Sequence, residues 1–325
     1  MDDAAPRASA VPDARVALRT AVLIPCHNEA VTIAKVVADF RAALPEAIVY
    51  VFDNNSTDAT VAAARAAGAV VRRETLQGKG HVIRRMFADV DADLYVLVDG
   101  DDTYEAAAAP ALLHRLLADG LDMVTGTRVT DIQAAYRPGH RFGNRLLTGI
   151  VTAIFGNRIT DMLSGYRAFS RRFVKSFPAL AVGFETEAEL VVHALELHMP
   201  IGEVRTRYSD RPAGSTSKLR TIRDGLRILR TIVVLVKEER PLQFFSLAGL
   251  ALLLLGVLLG VPVVLEFLAT GLVPRLPTAV LATGLVLLSF LSFAAGLILD
   301  SVARGRKEIK RLAYLAIPPP PSAEA

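Results

Sequence analysis

Two stretches near the C-terminus constrain this chain more than anything else in it. "LQFFSLAGLALLLLGVLLGVPVVL" (Leu242 to Leu265) and "TAVLATGLVLLSFLSFAAGLIL" (Thr278 to Leu299) carry no charged residue. Each reaches the ~20 apolar residues that a helix needs to cross a bilayer. A helix buried in a soluble core rarely stays uncharged for that long, so two transmembrane helices are predicted. Charge frames them. Lys218, Arg220, Arg223, Arg227, Arg230, Lys237 and Arg240 precede the first run, and Arg304, Arg306, Lys307, Lys310 and Arg311 follow the second, while the rest of the chain is net acidic. The basicity therefore belongs to a membrane surface, and no nucleic-acid partner is expected. The link between the runs holds only Glu266 and Arg275. The positive-inside bias then places both termini and the whole N-terminal part in the cytoplasm, with the protein a multi-pass protein of the cytoplasmic (inner) membrane.

The N-terminal "MDDAAPRASAVPDARVALRT" lacks the continuous apolar region of a signal peptide, and residues 1–19 read as a disordered tail. The single Cys26 excludes an internal disulfide and any multi-cysteine zinc site. From residue 20 onward, short apolar runs alternate with helical patterns: "TAVLIP", the stripe Ile33, Val37, Phe40, Leu44, then "AIVYVF", "DATVAAARAAG", "AVVRRE", "KGHVIRRMFADV" and "LYVLV". Strands apolar on both faces and separated by helices predict an α/β fold with a mostly parallel sheet. The expected organisation is a cytoplasmic domain over 20–212, an amphipathic interfacial helix over 213–240, the two spans within 241–301, and a basic then Pro-rich cytoplasmic tail over 302–325. In such sheets ligands bind beyond the carboxyl ends of the strands, where "PCHNEA", "DNNSTD", "QGKG" and "DGDD" all fall. Neither a Walker loop nor a dinucleotide fingerprint fits "GKGH".

In "LYVLVDGDDTYE" a buried strand surfaces on Asp99, Asp101 and Asp102. Adjacent carboxylates repel, and a hard divalent cation held by oxygen neutralises them most simply, so Mg²⁺ or Mn²⁺ is the first reading. The alternative is an acidic start to the following helix. Asp99-Gly100-Asp101-Asp102-Thr103 also spells DxDxT, the nucleophile motif of haloacid-dehalogenase-type phosphatases. That family places it after its first strand and needs a second acid pair downstream, and neither condition is met here.

"AVLIPCHNEA", "DNNSTDAT", "GKG", "LVDGDDTY", "GTR", "ITDMLSGYRAFSRR", "GFETEAELV" and "RPAGSTSKLRTIRDGLRIL" follow one another in the order of the landmarks of family 2 glycosyltransferases. The chain resembles the branch similar to dolichol-phosphate mannose synthase and bacterial polyprenyl-phosphate glucosyltransferases. The resemblance implies a Rossmann-like, nucleotide-sugar-binding (GT-A type) domain that moves one sugar from a UDP- or GDP-linked donor to a polyprenyl phosphate of undecaprenyl or dolichyl type, with inversion. It also implies roles. Asp99 and Asp101 would hold the cation against the donor diphosphate, flanking Gly100. Pro25, Asn28 and Glu29 would line the nucleotide pocket with Asp53, the last placed for the base. Lys79 would approach the nucleotide, and Arg211, Ser215 and Lys218 would fold over the donor phosphates. Gly100 and the third acid depart from the Asp-Ala-Asp of many relatives, which leaves open which acids touch metal.

A lipid phosphate approaching an anionic donor needs positive charge, which Arg128, Arg137, Arg141 and Arg145 can supply; Arg141 and Arg145 share a helical face. The alternative is a solvated basic face. From Lys218 to Arg240, apolar and basic stripes step by three and four on separate faces, the pattern of a helix lying on anionic lipid. A phosphate acceptor is already anionic at neutral pH. No histidine base is then required, and His27, His81, His114, His140, His193 and His198 read as structural. Glu185, Glu187 and Glu189 are sugar-pocket or acceptor-side candidates, or Glu187 and Glu189 merely open a helix. Processive synthases hold their polymer with a Gln-x-x-Arg-Trp element, and the chain has no Trp, so a single transfer per lipid is expected. A catalytically idle membrane adaptor remains the reading from another class. Self-association is left open.

Overall fold

The computed structural model describes residues 18–129, 149, 159–183, 185–212, 233–234 and 237–319. All but residues 18 and 19 of the expected tail over 1–19, Arg137, Arg141 and Arg145, and most of the expected interfacial helix over 213–240, with Ser215 and Lys218, lie outside the described residues.

Strands and helices alternate through the first hundred residues: β1 (Thr20–Cys26), α1 (Ile33–Ala43), β2 (Ile48–Asp53), α2 (Thr60–Ala66), β3 (Val70–Arg73), α3 (Lys79–Asp89) and β4 (Leu94–Leu97). Then come a 3₁₀ turn at Ala106–Ala108, α4 (Ala109–Ala118), β5 (Met123–Val129), β6 (Arg167–Ser170), α5 (Arg171–Ser176), α6 (Thr186–Glu196) and β7 (Ile201–Arg207). Among the described residues the seven strands form one sheet in the order β3-β2-β1-β4-β6-β5-β7. Only β6 runs against the others, pairing antiparallel with β4 and β5. All four residues of β4 and of β6 are buried, because helices cover both faces of the sheet and leave two apolar cores, one on each side.

Local chemistry explains the frame. Gly68, at φ 89, ends the α2 segment in the left-handed conformation that lets the chain turn back into β3. Pro25 sits inside β1, where a missing N–H should weaken a central strand. The β1–β4 register ends at Leu23↔Leu97, so beyond it Pro25 withholds nothing from β4 while the β2 register continues to Cys26↔Asp53. Strand order steps outward from β1 through β2 to β3 and then returns to β4 on the other side of β1. The carboxyl ends of β1 and β4 therefore flank a topological switch point, the place where an open α/β sheet leaves a crevice.

Two long helices follow, α7 (Pro241–Thr270) and α8 (Leu276–Leu315). Both are long and apolar enough to cross a membrane, and only 17% of either apolar window is buried in the protein, which is not how core helices of a soluble domain behave. Residues spaced by seven are buried on each helix, Gly249, Gly256 and Val263 on α7 and Ala282, Ser289 and Gly296 on α8, and the small ones meet across the pair, Gly249 at Ser289 and Gly256 at Ala282. A Cβ on Gly256 would lie 3.1 Å from the Ala282 carbonyl oxygen, the close backbone approach that replaces the hydrophobic drive between helices in lipid. Helix α8 does not stop at the end of the apolar run. It continues through the basic stretch expected as a tail, to Leu315.

Candidate active site

The loops after the first three strands are tied to one another before any ligand is considered. Asn28, left-handed at φ 54, accepts from Thr57 N at 2.8 Å and donates its own N–H to Ser56 Oγ at 2.9 Å. Glu29 N donates to Thr60 Oγ1 at 2.8 Å. Asp53, buried at the end of β2, accepts from Ser56 N at 3.2 Å. Asn54 carries the link onward, donating to the Glu74 and Leu76 carbonyls and accepting from Gly78 N at 2.8 Å. Pro25, Asn28, Glu29 and Asp53 thus stand on one interlocked rim.

Gly78 and Gly80 bring Lys79 to that rim from the other side. A Cβ on Gly78 would meet the Val182 carbonyl at 2.4 Å and one on Gly80 the Ala181 carbonyl at 2.1 Å, so only glycine lets this turn lie against residues 181–183. The result sets Lys79, the first residue of α3, between two acids. Its Nζ lies 2.6 Å from Asp99 Oδ1 and also contacts Glu187 Oε1. Burial alone would lower Lys79, but the charges of Asp99 and Glu187 outweigh it and hold its pKa above the ordinary lysine value. The other Glu187 oxygen is buried with no hydrogen-bond partner among the described residues. Glu185 accepts from Gly183 N, and Glu189 accepts from Leu180 N and Ala181 N. Of the three glutamates, only Glu187 reaches Lys79.

The three aspartates part company. Asp99 fills space left by Gly165, where a Cβ would stand 2.2 Å from Asp99 Oδ2. Asp101, almost fully buried, takes the Thr103 hydroxyl at 2.6 Å and Arg211 Nη2 at 2.6 Å. Burial and the nearby Asp99 push Asp101 above the ordinary carboxylate value, against the downward pull of Thr103 and Arg211. Asp102, left-handed at φ 59, turns away to pair with Lys35 of α1 at 2.8 Å. Between them, Gly100 permits the strand end to touch β1, since a Cβ there would fall 2.6 Å from Cys26 Sγ. Arg211 is delivered by the segment after β7, which crosses the acid loop through Ser209 N to Thr103 O at 2.9 Å and a Tyr104–Tyr208 bridge.

Arg128, expected on the acceptor side, is engaged with a residue that the sequence did not single out. Asp161 accepts from Arg128 Nε at 2.8 Å and Nη2 at 2.7 Å, and the guanidinium lies 5.5 Å from the Tyr208 ring centroid. Burial would raise Asp161, but Arg128 outweighs it and holds the carboxyl below its usual value. Asp161 and Gly165 both fall within "ITDMLSGYR"; that motif was the available signal.

Among the described residues no three His, Cys, Asp or Glu side chains converge into a metal cluster. The Asp99 and Asp101 pair still fits a hard cation, which in phosphate chemistry is commonly held by one or two carboxylates plus substrate oxygens and water. In this structure the pair is neutralised by side chains, Lys79 on Asp99 and Arg211 on Asp101.

A sequence profile described as Glycosyl transferase family 2 matches residues 21–177. Glycosyltransferase AglJ of Haloferax volcanii is 34% identical over 302 residues, covering 90% of this chain and 97% of that one. Dolichyl-phosphate hexose transferase of the same organism is 30% identical over 220 residues, covering 68% and 95%. Glucosyl-3-phosphoglycerate synthase from Mycobacterium tuberculosis, crystallised with Mn²⁺, UDP and glucosyl-3-phosphoglycerate, superposes with a TM-score of 0.56 at 23% identity over 68% of this chain and 79% of that one. At that identity the likeness is one of fold.

Proposed function

The chain belongs to glycosyltransferase family 2, and from that premise we propose that it moves one sugar from a UDP- or GDP-linked donor to a polyprenyl phosphate at the cytoplasmic face of a membrane. It is a glycosyltransferase with a GT-A-like domain followed by two apolar helices that could span a bilayer. Membership sets aside the phosphatase spelling of "DGDDT". The observation that carries the finer reading is the acid pair at the switch point, each member already matched to a side-chain cation, in a chain that also carries a candidate membrane anchor. The similarity to a dolichyl-phosphate hexose transferase supports a lipid phosphate acceptor. The Mn²⁺ and UDP bound by the mycobacterial enzyme support a divalent cation, Mg²⁺ or Mn²⁺, beside a nucleotide.

In this reading Asp99 and Asp101 hold the cation, which supplies positive charge to the departing diphosphate. Lys79 and Arg211 exchange their carboxylate partners for diphosphate oxygens as the donor enters. Pro25, Asn28, Glu29 and Asp53 form the nucleoside end of the pocket. A phosphate oxygen of the acceptor bonds to the anomeric carbon while the bond from that carbon to the donor diphosphate breaks, and the electron pair leaves with the nucleoside diphosphate. Little proton transfer is needed, so the chain's contribution is alignment and charge. Arg128, oriented by Asp161, with Arg137, Arg141 and Arg145 receives the acceptor phosphate; Ser215 and Lys218 close over the donor. Glu187, poised on Lys79, faces the sugar.

The test is transfer by bilayer-reconstituted protein from a panel of UDP- and GDP-sugars to undecaprenyl phosphate, read by mass spectrometry of the lipid. One sugar per lipid, with nucleoside diphosphate released in step, is expected. No sugar on any prenyl phosphate, or a lengthening polymer, would contradict it.

A further inference from the structure

The cytoplasmic end of α8 does not run free into solvent; it is fastened to the sheet domain at two of its most buried acids. Asp122, immediately before β5, is completely buried. It accepts from Ser170 Oγ at 2.6 Å, from Arg172, and from the Tyr314 hydroxyl at 2.8 Å. The Arg172 guanidinium also lies 4.8 Å from the Tyr314 ring centroid, so one aromatic side chain meets both members of a buried ion pair. One turn earlier, Lys310 Nζ lies 2.7 Å from Glu196 Oε2, on the last residue of α6, whose side chain is 5% exposed. Arg306 adds a bond to the Glu238 carbonyl at 3.3 Å, just before α7 begins. A solvated basic tail would not place its tyrosine and its lysine on acids that are otherwise out of water, where charge-assisted hydrogen bonds are strong and sensitive to geometry.

The contact joins the parts that the proposed reaction must hold in register. From Asp300 to Tyr314 the helix extends ~21 Å beyond the apolar run. It ends on the amino-terminal side of the sheet, on β5 and on the turn between β6 and α5, while Asp99 and Asp101 lie beyond the carboxyl ends of the strands. A rigid helix leaving the bilayer and gripping the far end of the sheet fixes both the height and the tilt of the opposite rim.

We propose that α8 beyond Asp300 is a latch, and that Tyr314 and Lys310 are positioning residues which set the orientation of the catalytic rim to the lipid-borne acceptor. The proposal rests on the reading that the acceptor is a membrane-embedded prenyl phosphate. The latch acts on presentation of that acceptor, so donor binding is untouched by it.

The test uses the full chain in lipid nanodiscs, with Tyr314→Phe, Lys310→Glu, Glu196→Lys and the Lys310→Glu/Glu196→Lys exchange. Spin labels at the exposed positions Glu46 and Arg304 report the distance between domain and α8; Cys26 is buried. A narrow distance distribution is expected in the parent and the exchange variant, and a broad one in Lys310→Glu combined with Tyr314→Phe. This readout does not depend on any transfer. Transfer is then followed with undecaprenyl phosphate and with a short, water-soluble prenyl phosphate. The expected split is a kcat loss of about tenfold for the embedded acceptor in the broken variants, with the soluble acceptor and the donor KM unchanged and the exchange variant restored. A distance distribution that stays narrow in the combined variant, or equal losses with both acceptors, overturns the latch. If the parent transfers to neither acceptor while the distances shift as described, the latch stands as an orienting contact and the acceptor assignment falls instead.

Discussion

A Cβ on Gly165 would stand 2.2 Å from Asp99 Oδ2, so the backbone of the "LSGYR" turn forms the wall against which Asp99 rests. The clash is with the end of a side chain that can swing away. Gly165→Ala is therefore expected to fold with little change in melting temperature yet to misplace the carboxylate. Mn²⁺ affinity in the presence of nucleoside diphosphate should fall by about tenfold or more, since metal sites lose function with sub-ångström displacement. A variant with parental metal affinity would show that Asp99 does not need this wall.

Gly100 and Cys26 form a second fitted pair. A methyl group at Gly100 would fall 2.6 Å from Cys26 Sγ and 3.3 Å from Ile24 Cγ2, inside a buried core where overpacking costs about 1–3 kcal/mol. Gly100→Ala should lower the thermal midpoint, and adding Cys26→Ala should recover most of the loss. That non-additivity is measurable in a double-mutant cycle.

Lys79 holds two acids at once, and Glu187 has almost no exposed surface. Lys79→Met leaves that carboxylate buried without its cation, a change that typically costs about 3–5 kcal/mol. Glu187→Gln keeps the Lys79–Asp99 pair and should cost clearly less. Chemical denaturation of the two variants side by side checks the order; equal losses would mean that Lys79 stabilises through packing.

His193 gives the acid limb of stability. It is buried between Phe173 and Phe177, with Nε2 3.1 Å from Ser176 Oγ, and burial, helped by the charge of Lys310, pushes its pKa down to about 3. The unfolded chain takes up the proton near the ordinary value of ~6.5 while the native protein does not, so stability is present above that pH and is lost as pH falls from there toward 3. His193→Gln should flatten the dependence of the denaturation midpoint over pH 6 to 4. An unchanged slope would assign the acid sensitivity to carboxylates.

β1, β2 and β4 were legible because burial on both faces writes itself as a short apolar run, and the two long helices because each carries an uncharged apolar stretch; β3, with no buried residue, was legible only from Val70, Val71 and its place after a helical pattern. β6 was not: it is four residues long and contains Arg167, a fully buried guanidinium that donates to the Met162 and Ser164 carbonyls. Composition suggests surface there, and only tertiary structure supplies the partners. Asp99, Asp101, Lys79 and Glu187 could be named from the sequence as candidates. Their pairing could not, because Lys79 and Glu187 are 108 residues apart. Arg128 was a candidate too, but its partner Asp161, 33 residues away, was not singled out at all. Whether Asp102 belongs with the other acids was open in the sequence; its left-handed backbone turns it to Lys35 instead. The helical continuation of α8 was hidden by its charge, which reads equally well as a solvated tail until Tyr314 and Lys310 are seen on Asp122 and Glu196.

The most direct measurement is electron paramagnetic resonance of Mn²⁺ bound to the bilayer-reconstituted protein with nucleoside diphosphate, taken beside sugar transfer before and after chelation. Bound Mn²⁺ with phosphorus coupling, lost in Asp99→Asn/Asp101→Asn, and transfer abolished by chelation and restored by Mn²⁺ or Mg²⁺, are expected. Parental Mn²⁺ binding in the double variant, or sugar transfer that persists in excess chelator, would contradict a cation held by this acid pair.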